Sequence, residues 1–172
     1  MFIYVILALL FVAGLVLETL LSLNFAWNFI PDFVLVLVVC LGFMLGEKKG
    51  ALVGLAAGFL EDVLIAAPGL GYFTLSKMLL GIGAGLAGKE IYHEKTIGPA
   101  MLVFAGTLIH EIFMFLLIYI FTGENVLNIP LEFAITTRFI PQAFINTVMV
   151  LLLYPLIWWL LQKQAESKKL LF

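Results

Sequence analysis

Residues 31–68 read PDFVLVLVVCLGFMLGEKKGALVGLAAGFLEDVLIAAP. An apolar run, Pro31–Leu45, breaks at Gly46-Glu47-Lys48-Lys49. A second, Lys49–Ala67, carries acids only near its far end, at Glu61-Asp62. Almost every charge in the chain obeys the same rule and falls at a gap between apolar runs. Working outward, the runs are Phe2–Leu23, Pro31–Leu45, Lys49–Ala67, Tyr72–Ala87, Ile97–Phe121 and Phe139–Leu161. Several reach the roughly 17–25 residues that cross a hydrocarbon core of about 30 Å. The chain is 64% hydrophobic and 12% charged, whereas a soluble domain has about 45–50% and about 25%. A soluble fold of this length could not hide so much apolar surface from water. An open sheet would leave backbone groups unpaired in lipid. The expectation is an all-α, polytopic membrane bundle of six transmembrane helices, forming a single domain over residues 1–172.

Basic residues set the orientation. If six helices span, the gaps alternate sides. One side then holds Lys48, Lys49, Lys89, Lys95, Lys163, Lys168 and Lys169, and the other holds only Arg138. Lys77 lies within the fourth run. Seven against one is a strong positive-inside bias, so both termini are expected in the cytoplasm. The connections around Asn24–Asn28, Pro68–Gly71 and Thr122–Thr137 then lie outside. The second run is short for a full span. A re-entrant reading of Pro31–Leu45 would strand the C-terminal lysines outside, which favours six spans.

The first run lacks the basic start and small-residue cleavage site of a removable signal. Cys40 stands alone, which excludes an internal disulfide, and reads as a small buried apolar residue. Trp27 marks the outer interface and Trp158 and Trp159 the inner one, as an aromatic belt requires. No basic stripe supports nucleic-acid binding. The segment Thr122–Thr137 keeps enough apolar residues to lie on the outer surface. The basic tail Gln162–Phe172 is expected to rest on anionic cytoplasmic headgroups.

Glycine is periodic. Gly42, Gly46, Gly50, Gly54 and Gly58 recur at every fourth position, and Gly81 and Gly85 repeat the spacing. Such faces let helix backbones approach closely in lipid. Gly54, Gly58, Gly81 and Gly85 are therefore candidates for packing between helices two, three and four, or for docking a partner's helix. None belongs to a phosphate-binding loop, since no strand precedes them and the Lys-Ser/Thr pair is missing.

Charge at membrane depth is costly unless paired or hydrated. Glu18, Glu61, Asp62, Lys77, Glu111 and Arg138 form a candidate polar cluster in the outer half of the bundle. The hairpin between helices three and four leads to the expectation that Asp62 neutralises Lys77. Neutralising pairs, an outward pocket for a small polar ligand, and a contact surface for a partner all remain open readings of this cluster. His110 beside Glu111 lacks the i+3 or i+4 partner of a metal site. His93, next to Glu94 and Lys95, reads as solvated. Ser22, Ser76 and Ser167 have no partner histidine at a plausible depth, and neither GxSxG nor HExxH occurs. No catalytic residue, cofactor or metal is expected.

The motifs Pro31-Asp32, Gly46-Glu47-Lys48-Lys49-Gly50-Ala51-Leu52-Val53-Gly54, Gly58-Phe59-Leu60-Glu61-Asp62 and Pro68-Gly69-Leu70-Gly71-Tyr72 resemble those of the bacterial rod shape-determining MreD family across essentially the whole chain. The resemblance implies a non-enzymatic component of the cell-elongation machinery (elongasome) in the bacterial inner membrane, acting in rod-shape determination and peptidoglycan synthesis. Its implied partners are an MreC-like single-pass protein and, through it, a class B penicillin-binding protein, RodA, RodZ and MreB, with a homodimer inside that larger complex as a further option. The lipid bilayer is its surroundings. The family is also similar in fold to the S components of energy-coupling-factor transporters, so the alternative function is a vitamin-uptake S component. Against that alternative, helix one has Ala8 and Ala13-Gly14 but Val12 where an AxxxA coupling face needs its second alanine. A cluster of outer tryptophans and asparagines is missing too.

Overall fold

The computed structural model of the protein describes residues 2–24, 30–64, 71–91, 96–122 and 130–169. Their elements are α1 (Phe2–Asn24), α2 (Phe33–Leu45), α3 (Glu47–Leu64), α4 (Tyr72–Ala87), α5 (Ile97–Thr122), α6 (Leu131–Ala134), a π-helical turn (Ile135–Phe139) and α7 (Ile140–Lys169). The last three run on as one rod, so the described residues form six helical rods. Much of each expected outer connection lies outside the described residues, as do Trp27, His93, Glu94, Lys95 and the end of the tail. Two stretches, Ile97–Phe121 and Leu131–Lys163, are long and apolar enough to cross a membrane.

The short second run has a definite place. Every residue from Val34 to Phe43 is buried, because α2 is surrounded by α1, α3, α4, α5 and α7. A helix that is apolar on all faces belongs in an interior. At 13 residues it is only about 20 Å long. Enclosed by protein, it need not match the thickness of lipid. The main core cluster gathers on it: Leu37, Cys40, Leu41 and Phe43 meet Val103 of α5 and Val150, Tyr154 and Ile157 of α7.

Helices α3 and α4 form the closest pair, and glycine is the reason. A Cβ on Gly58 would come 2.5 Å from the Phe73 carbonyl oxygen, and one on Gly42 2.6 Å from that of Gly81. Added to Gly54 it would strike the Lys77 carbonyl, to Gly81 the Gly50 carbonyl, and to Gly85 the Gly46–Glu47 backbone. These glycine faces are filled within the chain, against the backbones of neighbouring helices. Gly46 makes the turn from α2 into α3 with φ 86°, a conformation that a Cβ opposes.

The final rod begins earlier than the run Phe139–Leu161 suggests. Pro141 has no N–H to give the carbonyl four residues back, and its ring crowds that carbonyl. The backbone widens there, and the Ile140 N–H bonds the Ile135 carbonyl five residues back. Thr136 and Thr137 also return their hydroxyls to the Phe133 carbonyl, at 3.1 and 2.6 Å. Arg138 thus lies inside a π turn rather than at a helix start.

Candidate functional site

The polar groups around the start of α2 are assembled largely from helix caps. Asp32 precedes α2, and its Oδ1 accepts the Leu35 N–H at 2.6 Å, satisfying one of the donors left free at a helix start. The Asp32 N–H donates to Asn146 Oδ1 of α7 at 2.9 Å, and Asn146 Nδ2 donates to Thr107 Oγ1 of α5 at 3.1 Å. The Thr107 hydroxyl in turn donates to the Val103 carbonyl. A single chain of hydrogen bonds therefore fixes α2, α5 and α7 in register.

Lys77 ends within this network. It is fully buried, and its Nζ lies 3.0 Å from Asp32 Oδ1. It also pairs with Glu61 Oε1, and it lies 5.7 Å from the Phe73 ring. The expected Asp62–Lys77 pair is not formed. Successive residues of a helix point about 100° apart, so Glu61 and Asp62 cannot both face α4 Lys77. Glu61 takes the lysine. Asp62 instead caps α4, accepting the Phe73 N–H at 3.1 Å and the Thr74 N–H at 2.9 Å, with the Thr74 hydroxyl at 2.5 Å. The need is plain, because the α4 N-cap is Gly71, at φ 103°, which makes no side-chain cap bond. A residue of the neighbouring helix supplies the missing acceptor.

Glu18 of α1 joins the same centre: carboxylate oxygens of Glu18, Asp32 and Glu61 all lie within 4.8 Å of one another. Glu111 and Arg138 stand apart as an ion pair, Oε2 to Nε at 3.7 Å, which is longer than a hydrogen bond. Of the six residues singled out from the sequence, Glu18, Glu61 and Lys77 meet in one place, Asp62 caps a helix, and Glu111–Arg138 form a second pair. Asp32, Asn146 and Thr107 were missed as site residues. Asp32 had a readable signal, a helix-capping residue type placed just before an apolar run.

Ser76 corrects a second expectation. Its Oγ lies 2.6 Å from His110 Nδ1, both residues being buried, and Phe73 stacks on the imidazole. Among the described residues no carboxylate hydrogen-bonds the other ring nitrogen, as a serine nucleophile's base requires. The pair satisfies two buried polar groups.

Beside Ser76 an apolar groove of about 300 Å³ opens between α4 and α5. Its lining includes the small residues Gly83, Ala84, Ala105 and Gly106 among larger apolar ones. A Cβ on Gly83 would meet nothing within 4 Å.

A family model described as rod shape-determining protein MreD matches residues 1–164. The chain belongs to the MreD family. No curated protein and no solved structure matches it, and the S-component likeness has no further support. Membership carries a role in rod-shape determination, in a family of structural membrane proteins. In that setting the buried centre of Lys77, Asp32 and Glu61 reads first as the register of a membrane bundle.

Proposed function

We propose that this MreD-family chain is a non-enzymatic scaffold of the cell-elongation machinery, which binds the membrane helix of an MreC-like partner and through it serves peptidoglycan synthesis. The observation that carries the proposal is the family match over residues 1–164. Orientation in the inner membrane with both termini cytoplasmic is supported by the seven-to-one bias of basic residues. With the glycine seam consumed by α3 and α4, the α4–α5 groove is the surface proposed for the partner's helix. Its small residues permit the close backbone approach by which helices associate in lipid. Its apolar lining also argues against the vitamin-uptake alternative, since a ligand site needs several convergent polar groups.

Depletion of the protein from a rod-shaped host is expected to give round cells. Rods that keep their shape while uptake of a vitamin fails would end this reading in favour of the transporter. Orientation is checked with cysteines at positions 48, 125 and 168 in a Cys40→Ser background. Only the one at 125 is expected to label from outside.

A further inference from the structure

The centre built on Lys77 has more negative than positive charge. Glu18, Asp32 and Glu61 contribute three carboxylates and Lys77 one ammonium, an excess of two when all are ionised. Among the described residues Lys77 Nζ hydrogen-bonds Asp32 Oδ1 and Glu61 Oε1. Glu61 is 1% exposed, and its second oxygen, Oε2, is buried with no hydrogen-bond partner among the described residues. Glu18 Oε2 shares that condition. Buried polar atoms in folded proteins are almost always partnered, and uncompensated buried charge is more costly still. Two such oxygens within one carboxylate cluster point to a positively charged ligand.

We propose that Glu18, Asp32 and Glu61 form a binding site for one divalent cation of the calcium or magnesium class, with Lys77 as a fixed neighbouring charge. Carboxylate oxygens are the ligands that such hard cations take. An ion at the centre of a triangle with sides no longer than 4.8 Å lies at most about 2.8 Å from each corner, close to the 2.3–2.6 Å of calcium–oxygen bonds. One divalent ion also cancels the excess of two charges. The ion has a structural consequence. Helix α1 rests on α2 and, lightly, on α7, whereas Asp32 and Glu61 belong to the interior. Bridging Glu18 to them clamps α1 onto the bundle. Glu18 is the least buried of the three, which gives the ion its way in.

The test uses the full chain, purified in detergent and stripped with EDTA. Equilibrium dialysis with radioactive calcium is expected to count one ion per chain. Melting, followed by tryptophan fluorescence, is expected to rise by several degrees as CaCl2 or MgCl2 is added. The half-effect should fall at roughly 10⁻⁴–10⁻³ M, the range of weak extracellular sites. Sodium chloride of equal ionic strength should not reproduce the rise. Glu18→Gln should remove both the rise and the bound ion, while the EDTA-treated variant melts no lower than the EDTA-treated parent, because Lys77 keeps its two partners. No bound calcium at roughly ten times that concentration overturns the proposal. So does an equal rise in Glu18→Gln, or a rise on acidification alone that added cation does not extend, since protons would then be the neutralising species.

Discussion

The α3–α4 seam and the Lys77 centre hold helices together in opposite ways. Along the seam no side chain intervenes: Gly50, Gly54 and Gly58 bring their helix against the backbone of Phe73, Lys77 and Gly81. At the centre, long side chains from α3 and α4 and a cap from α2 meet around one ammonium. The seam relies on contact and the absence of atoms, so any added atom harms it. The centre relies on charge, so losing Lys77 or either of its two carboxylate partners harms it. The first gives close approach without specifying partners, and the second fixes which segments meet.

The comparison is broken most severely at Lys77. Lys77→Met leaves Asp32 and Glu61 facing each other in the interior, and removal of one partner from a buried pair costs about 3–5 kcal/mol. Thermal melting in detergent should show the largest loss of any single change, and Lys77→Met with Glu61→Gln should lose less than the sum of the two. Additive losses would mean that the two residues do not interact. Gly54→Leu comes next. Overpacking typically costs about 1–3 kcal/mol, and here the obstacle is the Lys77 carbonyl, which cannot rotate aside. The expected result is a low yield of folded chain by size-exclusion chromatography.

Asp62→Asn sharpens the distinction between a cap and an ion pair. Asn keeps one acceptor for the α4 amides and gives up the charge at the helix start, so the loss should be about 1 kcal/mol. It should be unchanged when Lys77 is also replaced, because Asp62 serves α4 and not the lysine. At the opposite end, Lys89 Nζ lies 2.9 Å from Glu47 Oε1 with both partly exposed. The Lys89 hydrogen bond, followed by a hydrogen bond to its own backbone, holds the Glu47 carboxyl below its ordinary range. The folded value being the lower one, this small contribution is present above the ordinary carboxylate range and fades as pH falls through the depressed value. Lys89→Met should leave melting at neutral pH almost unchanged, since exposed pairs contribute little.

These regions also differ in how legible they were. The seam could be read because both of its helices carry a four-residue glycine repeat and are consecutive in sequence, so the contact is local. The helical runs and their gaps were legible from composition for the same reason. The Lys77 centre was only half legible. Its charged members stood out against apolar runs, but proximity in sequence favoured Asp62 over Glu61, and only the rotation of α3 decides between them. Asn146 and Asp32 are separated by more than a hundred residues, a pairing no periodicity announces. The π turn follows from Pro141, whose effect on the preceding carbonyls is local chemistry, yet the apolar run began only at Phe139, the last residue of that turn, and hid the helical residues before it.

The scaffold account turns on the α4–α5 groove, where a Cβ added at Gly83 meets nothing within 4 Å, so Gly83→Leu starts into open space. The decisive measurement is capture of a co-expressed, tagged MreC-like protein by the parent chain and by Gly83→Leu, with melting recorded for both. The account predicts melting within about 0.5 kcal/mol of the parent, as for surface changes away from special features, together with loss of capture. Undiminished capture by a folded Gly83→Leu chain would contradict it.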